Sequence, residues 1–279
     1  MSKTIVITGS SDGIGAAAAR QLHHDGHQVV VVGRSARKTQ AIASEIGADH
    51  FLADFTRLDE VGKLAAELDA AYPRIDVLAN NAGGVFGDRT KTTDGFEMTF
   101  QINYLAAFLL TRLLIGKLTA SAAAVIQTSS IGARMAGRLD MDDLDHDRNF
   151  SPVRAYNAAK LEDILFTREL HRRYHAQGIS AAAFYPGNVA SSFGTKSDSR
   201  LIKFITTNPV TRRVLLTTPD KGAGQLVWLA EGQPGTDWES GTYYQKRKPG
   251  RISRQALDAS LARNLWERSE QLTTPTHSR

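Results

Sequence analysis

A tyrosine and a lysine four residues apart, Tyr156 and Lys160 in Tyr-Asn-Ala-Ala-Lys, lie in a helical pattern that continues through Leu161, Ile164, Leu165, Phe166 and Leu170. That spacing sets both side chains on one helix face, one turn apart. A phenol with an ordinary pKa of about 10 is a poor proton donor or acceptor near neutrality, unless a fixed cation stabilises its phenolate. Lys160 can be that cation. Tyrosine and lysine at this spacing are also common surface neighbours, so the pair gains meaning only from the elements that would hold it against a substrate.

The first of those elements stands at the start of the chain. Lys3 to Thr8 (KTIVIT) is short and β-branched, GSSDGIG follows from Gly9 to Gly15, and a small-residue helical pattern then runs to Gly26. In a strand, turn and helix of this kind the glycines allow positive φ and close backbone approach, while the helix N-terminus offers free N–H groups to a pyrophosphate. Gly9, Ser11, Asp12, Gly13, Ile14 and Gly15 are therefore candidate cofactor contacts. Gln28 to Val32 is a continuous apolar run suited to a central parallel strand, and it ends in Gly33-Arg34-Ser35. An acidic residue at this point accepts hydrogen bonds from a free adenosine ribose, whereas an arginine accommodates a 2′-phosphate. Arg34, with Arg37 and Lys38 behind it, favours NADP(H) over NAD(H); the plainer alternative is that Arg34 only begins a loop. His50 to Asp54 reads as a third strand, with Asp54 and Phe55 against an adenine. Leu58 to Ala71 reads as a helix and Ile75 to Ala79 as a fourth strand. Strands alternating with helices in this way predict an α/β fold with a doubly wound parallel sheet and helices on both faces.

Asn80-Asn81-Ala82-Gly83 follows the fourth strand. With TGSSDGIG, NNAG and YNAAK in this order, the sequence resembles the short-chain dehydrogenase/reductase family from about Lys3 to Gly187. QINYLAAFLLTRLL, TSSIGA, LFTREL and GTYYQK resemble its retinol-dehydrogenase-like branch. The resemblance implies a single-domain Rossmann fold over 1–279 and a set of roles. Asn81, Ala82 and Gly83 would line the cofactor. Asn103 would hold, through its backbone carbonyl, a water that contacts the lysine and relays protons. Ser130 would hydrogen-bond the substrate oxygen, Tyr156 would be the acid/base, and Lys160 would lower its pKa and bind the nicotinamide ribose. Pro186-Gly187-Asn188-Val189 resembles the motif whose backbone near Val189 contacts the carboxamide, with Ser191 or Ser192 on a phosphate and a substrate lid over about 190–217. Ser130 and Tyr156 are 26 residues apart, where many members of the family have about a dozen between them. The extra segment is typical of the same branch. Its aspartates Asp140, Asp142, Asp143, Asp145 and Asp147, with His146, lack the glycine and distal glutamate of a calcium loop and read as a solvated loop rimming the site.

Composition narrows the classes. A chain of 279 residues, 42% of them apolar, builds a sizeable core. The absence of cysteine excludes disulfides, thiolate metal ligands and a cysteine nucleophile. The early first strand leaves no room for a signal peptide and no apolar run is long enough to span a membrane, so a soluble, cytoplasmic protein is expected. Up to Gln245 there are 26 basic and 26 acidic side chains, then 8 basic against 3 acidic, so the whole excess of +5 lies in the last stretch. A neutral body with a basic tail argues against a nucleic-acid partner, which calls for a basic face. Leu257, Leu261 and Leu265 predict one face of a terminal helix, in a tail over about 253–271, packed on the body or on a second subunit of a homodimer.

The expected function is an NADP(H)-dependent oxidoreductase that interconverts a carbonyl and an alcohol, with no resident metal. Met135, Leu139, Met141, Leu144, Phe193, Leu201, Ile202 and Phe204 are candidate walls for a lipophilic substrate. Two alternatives stand beside it: an NADP(H)-binding regulatory or sensor protein without turnover, and a sugar-nucleotide-type epimerase or dehydratase. The first class typically loses the tyrosine or lysine, and the second usually carries TGxxGxxG with a larger C-terminal domain.

Overall fold

The apolar runs of the sequence become the middle of one sheet. The computed structural model describes residues 2–87, 89–187 and 218–274. Among them, β1 (Thr4–Thr8), β2 (Gln28–Gly33), β3 (Asp49–Leu52), β4 (Val77–Asn80), β5 (Ala124–Thr128), β6 (Ser180–Tyr185), β7 (Thr242–Gln245) and β8 (Lys248–Pro249) are hydrogen-bonded in the order β3-β2-β1-β4-β5-β6-β7-β8. The first seven run parallel and β8 pairs antiparallel with β7. Strand order reverses between β1 and β4, and that switch point opens a crevice at the carboxyl ends of the strands.

Alternate side chains of β1 and β2 face opposite layers. Ile5, Ile7, Val29 and Val31 pack under α1 (Gly13–His24), α2 (Ala36–Ile46) and α8 (Pro219–Glu231). Val6, Val30 and Val32 join the larger core. That side carries α3 (Leu58–Ala71), then α4 (Met98–Phe100), a π turn (Gln101–Leu105), α5 (Ala106–Leu113) and α6 (Ile115–Ala120), then α7 (Pro152–Tyr174) and α9 (Ala259–Thr273). The predicted doubly wound α/β fold is what the sheet and its two helical layers form.

Local chemistry corrects several expected boundaries. β3 ends at Leu52 rather than at Asp54, because the Asp54 carboxylate accepts from Thr56 N and Oγ1, and its own N–H goes to Glu60. β8 was not expected: Lys246 and Arg247 both take positive φ, 51° and 59°, and turn the chain back on β7. A two-residue hairpin needs that geometry, but Lys-Arg does not advertise it as Asn-Gly would. Leu257 is not on the terminal helix; it precedes α9 in a 3-10 turn and is 56% exposed. The buried face of α9 is Ala262, Leu265, Trp266 and Ser269. Trp266 stacks on Phe166 at 5.6 Å and meets Phe108 edge-on at 5.1 Å, so this helix packs on the body of its own chain.

The aspartate-rich loop is tied down by protein partners. Asp140 pairs with Arg148 at 3.0 Å, Asp147 with Arg89 at 2.7 Å and Lys91 at 2.9 Å, and Asp145 accepts from Glu97 N at 2.6 Å. Its Leu139 and Leu144 are buried in the core rather than left as open walls. Among the described residues no helix is long and apolar enough to cross a membrane.

Candidate active site

Close backbone approach sets the shape of the crevice at its glycine-rich end. Gly9 has φ 66°, and a Cβ there would lie 2.7 Å from Ala82 Cα. A Cβ on Gly15 would stand 2.5 Å from Gly9 O and 2.7 Å from Asn81 Nδ2. One on Gly33 would stand 2.4 Å from Thr39 Oγ1 and 2.9 Å from Ser11. Thr8 Oγ1 accepts from Asn81 N at 3.0 Å and Ala82 N at 3.1 Å, while Asn81 Nδ2 donates to Thr8 O at 3.0 Å. These contacts bring Gly9, Gly15, Asn81 and Ala82 together where β1 and β4 end. Ser11, Gly13 and Ile14 complete the turn, Ile14 packing partly into the core. Asp12 caps α1 by accepting from Gly13 N, and it also pairs with Lys38 at 2.7 Å across the mouth. Arg34 is exposed at the end of β2.

Phe55 turns its ring into the core at 6% exposure, which leaves its backbone at the end of the crevice. Asp54 remains beside the end of β2, where Ala53 N donates to Gly33 O, but its carboxylate holds the following turn through Thr56.

At the other end of the crevice, Ser130 follows β5 and caps the 3-10 turn Ile131–Met135 by accepting from Gly132 N at 3.1 Å. A Cβ on Gly132 would collide with Asn157 Oδ1 at 2.3 Å, so the glycine lets that turn settle on α7. Ser151 and Pro152 start α7, Ser151 accepting from Arg154 N. One turn in, Tyr156 is half-buried and Lys160 is 3% exposed. Burial pushes the Tyr156 phenol up, a hydrogen bond with Ser130 pulls it down, and Asp163 adds a further upward push. Lys160 Nζ lies 5.7 Å from the centre of the Tyr156 ring. It donates to Thr128 O at 2.9 Å and to Asp163 Oδ2 at 3.0 Å. Tyr185 and Tyr243 complete a phenolic patch: burial raises Tyr185, with Tyr156 adding to it, and burial raises Tyr243 to about 12.

Asn103 sits in the π turn and links the two ends. Its Nδ2 donates to Gly84 O and Thr99 O, each at 2.9 Å, and its Oδ1 accepts from Gly84 N at 3.0 Å. A Cβ on Gly83 would meet Asn103 Oδ1 at 2.5 Å and lie 3.6 Å from Lys160 Nζ. A single widened turn inside a helix is a frequent mark of a functional site. Pro186 and Gly187, the latter at φ 93°, follow β6. Val189, Ser191, Ser192, the expected lid and its Phe193, Leu201, Ile202 and Phe204 lie outside the described residues. A surface cavity lined by Ser2, Lys3, His27, Arg74, Asp76 and Glu231 lies at the opposite ends of the strands and holds none of these groups.

Sequence reasoning passed over Thr8, Thr128, Glu162 and Asp163. Thr8 opens the glycine motif and was readable from it. Asp163 is three residues past Lys160, a spacing that puts it on the same face.

A family model described as short chain dehydrogenase matches residues 3–201. The chain belongs to the short-chain dehydrogenase/reductase family. Among its relatives is a candidate daunorubicin C-13 ketoreductase from Streptomyces sp. (strain C5), 40% identical over 275 residues that span 96% of this chain and 91% of that protein. Retinol dehydrogenase 13 of Homo sapiens is 34% identical over 280 residues, spanning 97% of this chain and 84% of that protein. A solved structure of an uncharacterised protein from Mycobacterium paratuberculosis is 31% identical, with a TM-score of 0.77 and coverage of 97% and 93% of the two chains. These likenesses put this short-chain dehydrogenase/reductase in the retinol-dehydrogenase-like branch.

Proposed function

We propose that the protein is an NADP(H)-dependent reductase of lipophilic ketones or aldehydes, running also as the reverse alcohol dehydrogenase, with Tyr156 as the acid/base. The observation that carries this reading is the hydrogen-bonded Ser130–Tyr156 hydroxyl pair beside Lys160, at the end of the crevice away from the glycine turn. The names of the ketoreductase and retinol dehydrogenase relatives support the same carbonyl and alcohol chemistry.

The crevice suits a dinucleotide. A Cβ on Gly9 would collide with Ala82 and one on Gly15 with Gly9 O, so the turn keeps its tight shape only with glycine at both positions, and the first N–H groups of α1 lie at the turn with the positive end of the helix dipole. Gly9, Ser11, Gly13, Ile14 and Gly15 would hold the pyrophosphate, and Arg34 with Lys38 the 2′-phosphate. When bound, the nicotinamide supplies or accepts the hydride. Ser130 and Tyr156 hydroxyls then bind the substrate oxygen, and Tyr156 delivers its proton to that oxygen as the carbonyl is reduced. Lys160 stabilises the phenolate left behind. In the oxidising direction the same phenolate takes the proton back. Ile131 and Met135, on the turn just after Ser130, are 38% and 67% exposed and offer an apolar surface to the substrate.

The test is a screen of carbonyl compounds, from pyruvate-sized acids to polycyclic ketones, with NADPH and NADH followed at the nicotinamide absorbance. NADPH and bulky apolar carbonyls should give the higher kcat/KM. Tyr156→Phe should lower turnover by a factor of roughly 10² to 10⁴ while NADPH still binds. Unchanged turnover in that variant would overturn the mechanism, and preference for NADH in the parent would overturn the reading of Arg34.

A further inference from the structure

Lys160 is followed on α7 by two acids, Glu162 and Asp163, that are 0% and 2% exposed. A carboxylate this dry is costly unless it is paired. Asp163 is paired with Lys160 at 3.0 Å, both side chains almost out of solvent at 2% and 4%. Thr128 O is the ammonium's other acceptor, at 2.9 Å. Among the described residues Lys160 is the one cation hydrogen-bonded to Asp163. Tyr156 therefore faces an ion pair rather than a bare ammonium. The field of a close pair of opposite charges falls off faster than that of one charge, so the carboxylate cancels part of what the lysine would do to a phenol. Asp163 in fact pushes the Tyr156 phenol up.

We propose that Asp163 is a positioning residue for the Tyr156–Lys160 pair: it anchors the ammonium and, as its counter-charge, sets how strongly Lys160 favours the Tyr156 phenolate. Its catalytic consequence rests on the reading of Tyr156 as acid/base given above. A nearby charge favours or disfavours an ionised group according to its sign, so the counter-charge bears on the balance between the phenol that reduction needs and the phenolate that oxidation needs.

The surrounding groups single out Asp163 as the ionised acid. On α7 it faces Lys160 and neighbours Glu162, with Tyr156 beyond the lysine. From the π turn comes Tyr104, a buried phenol that both acids push up. Burial first, then Asp163, Glu97 at the start of α4 and Asp145 in the loop before α7 hold Glu162 well above the usual carboxylate range, against the pull of Lys160. Tyr185, on β6, adjoins Tyr156. β5 contributes only a backbone carbonyl. Burial lifts Asp163 to about 6 against the pull of Lys160, which leaves it charged near neutrality.

The decisive measurement needs neither substrate nor cofactor. The ultraviolet absorbance of phenolate is titrated in the full chain with and without Tyr156→Phe, and the difference isolates the ionisation of Tyr156. The same difference is taken in Asp163→Asn, which keeps an acceptor for Lys160 but removes the charge, and in Asp163→Ser if the first variant does not fold. At a fixed alkaline pH below unfolding, the neutral variants should show roughly 10-fold more Tyr156 phenolate, the equivalent of about one unit. Glu162→Gln is the control and should leave the difference where the parent has it. An unmoved Tyr156 signal in Asp163→Asn, or an equal move in Glu162→Gln, would overturn the proposal. Lower turnover without the titration shift would also overturn it, because that is what a purely structural residue gives. If Tyr156→Phe retained turnover while the titration moved, the acid/base reading would fail and the electrostatic coupling would stand.

Discussion

Glu162 illustrates how a single residue can carry a pH dependence for the whole protein. It is fully buried, neither of its oxygens has a hydrogen-bond partner among the described residues, and its pKa is held well above 4.5 by burial first and acidic neighbours second. A folded value above the unfolded one means a stabilising contribution that is complete below about 4.5 and is lost as pH rises through the folded value. Asp163 acts in the same direction between 3.8 and about 6. Glu162→Gln has no proton to lose, so its urea midpoint should gain on that of the parent as pH rises from about 4.5 to 8. A constant gap between the two proteins across that range would refute the buried-acid account. Tyr156, Lys160 and Ser130 were legible because each stands at a fixed place in a motif. Asp163 was not, because a lysine and an aspartate three apart on a helix usually meet in water, and only the burial of α7 on both sides makes this pair dry.

The glycine-rich turn and the π turn are the elements that translate sequence into site geometry. Gly15→Ala places a methyl 2.5 Å from Gly9 O, a backbone atom that cannot swing aside. It should cost about 1–3 kcal/mol of stability and weaken NADPH binding with it. Gly62, inside α3, has nothing within 4 Å of the position a Cβ would take. Gly62→Ala should raise stability by about 0.4–1 kcal/mol and leave NADPH binding unchanged, as read by urea melts and fluorescence titration. The turn was readable from its glycines and their place between strand and helix. The π turn was not, since QINYL has the apolar spacing of any buried helix, and only the bonds of Asn103 to Thr99 and Gly84 show the widened backbone at work. The β7–β8 hairpin escaped for a related reason: its turn residues are lysine and arginine, whose positive φ is not announced by residue type.

Over the whole molecule, the α/β alternation and the doubly wound parallel sheet followed from short apolar strands and amphipathic helices, whereas the placement of the last helix depended on aromatic packing between distant segments. Trp266 closes a cluster with Phe108, Phe166 and Tyr174, and Arg173 stacks 4.9 Å over its ring. Trp266→Ala should cost about 3–5 kcal/mol, seen as a lower urea midpoint, and should loosen α7 and with it the site. Tyr104, next to Asn103 in the π turn, shares a buried hydrogen bond of 2.8 Å with Ser269 on that last helix. During synthesis the chain emerges N-terminus first, at about 5–20 residues per second. The glycine turn and its neighbouring strands are complete early, but Tyr104 waits some 165 residues for its partner. A ribosome therefore finishes the nucleotide crevice well before it finishes the wall that steadies the chemistry, and a nascent chain stalled before Ser269 would hold a cradle without a settled catalytic floor.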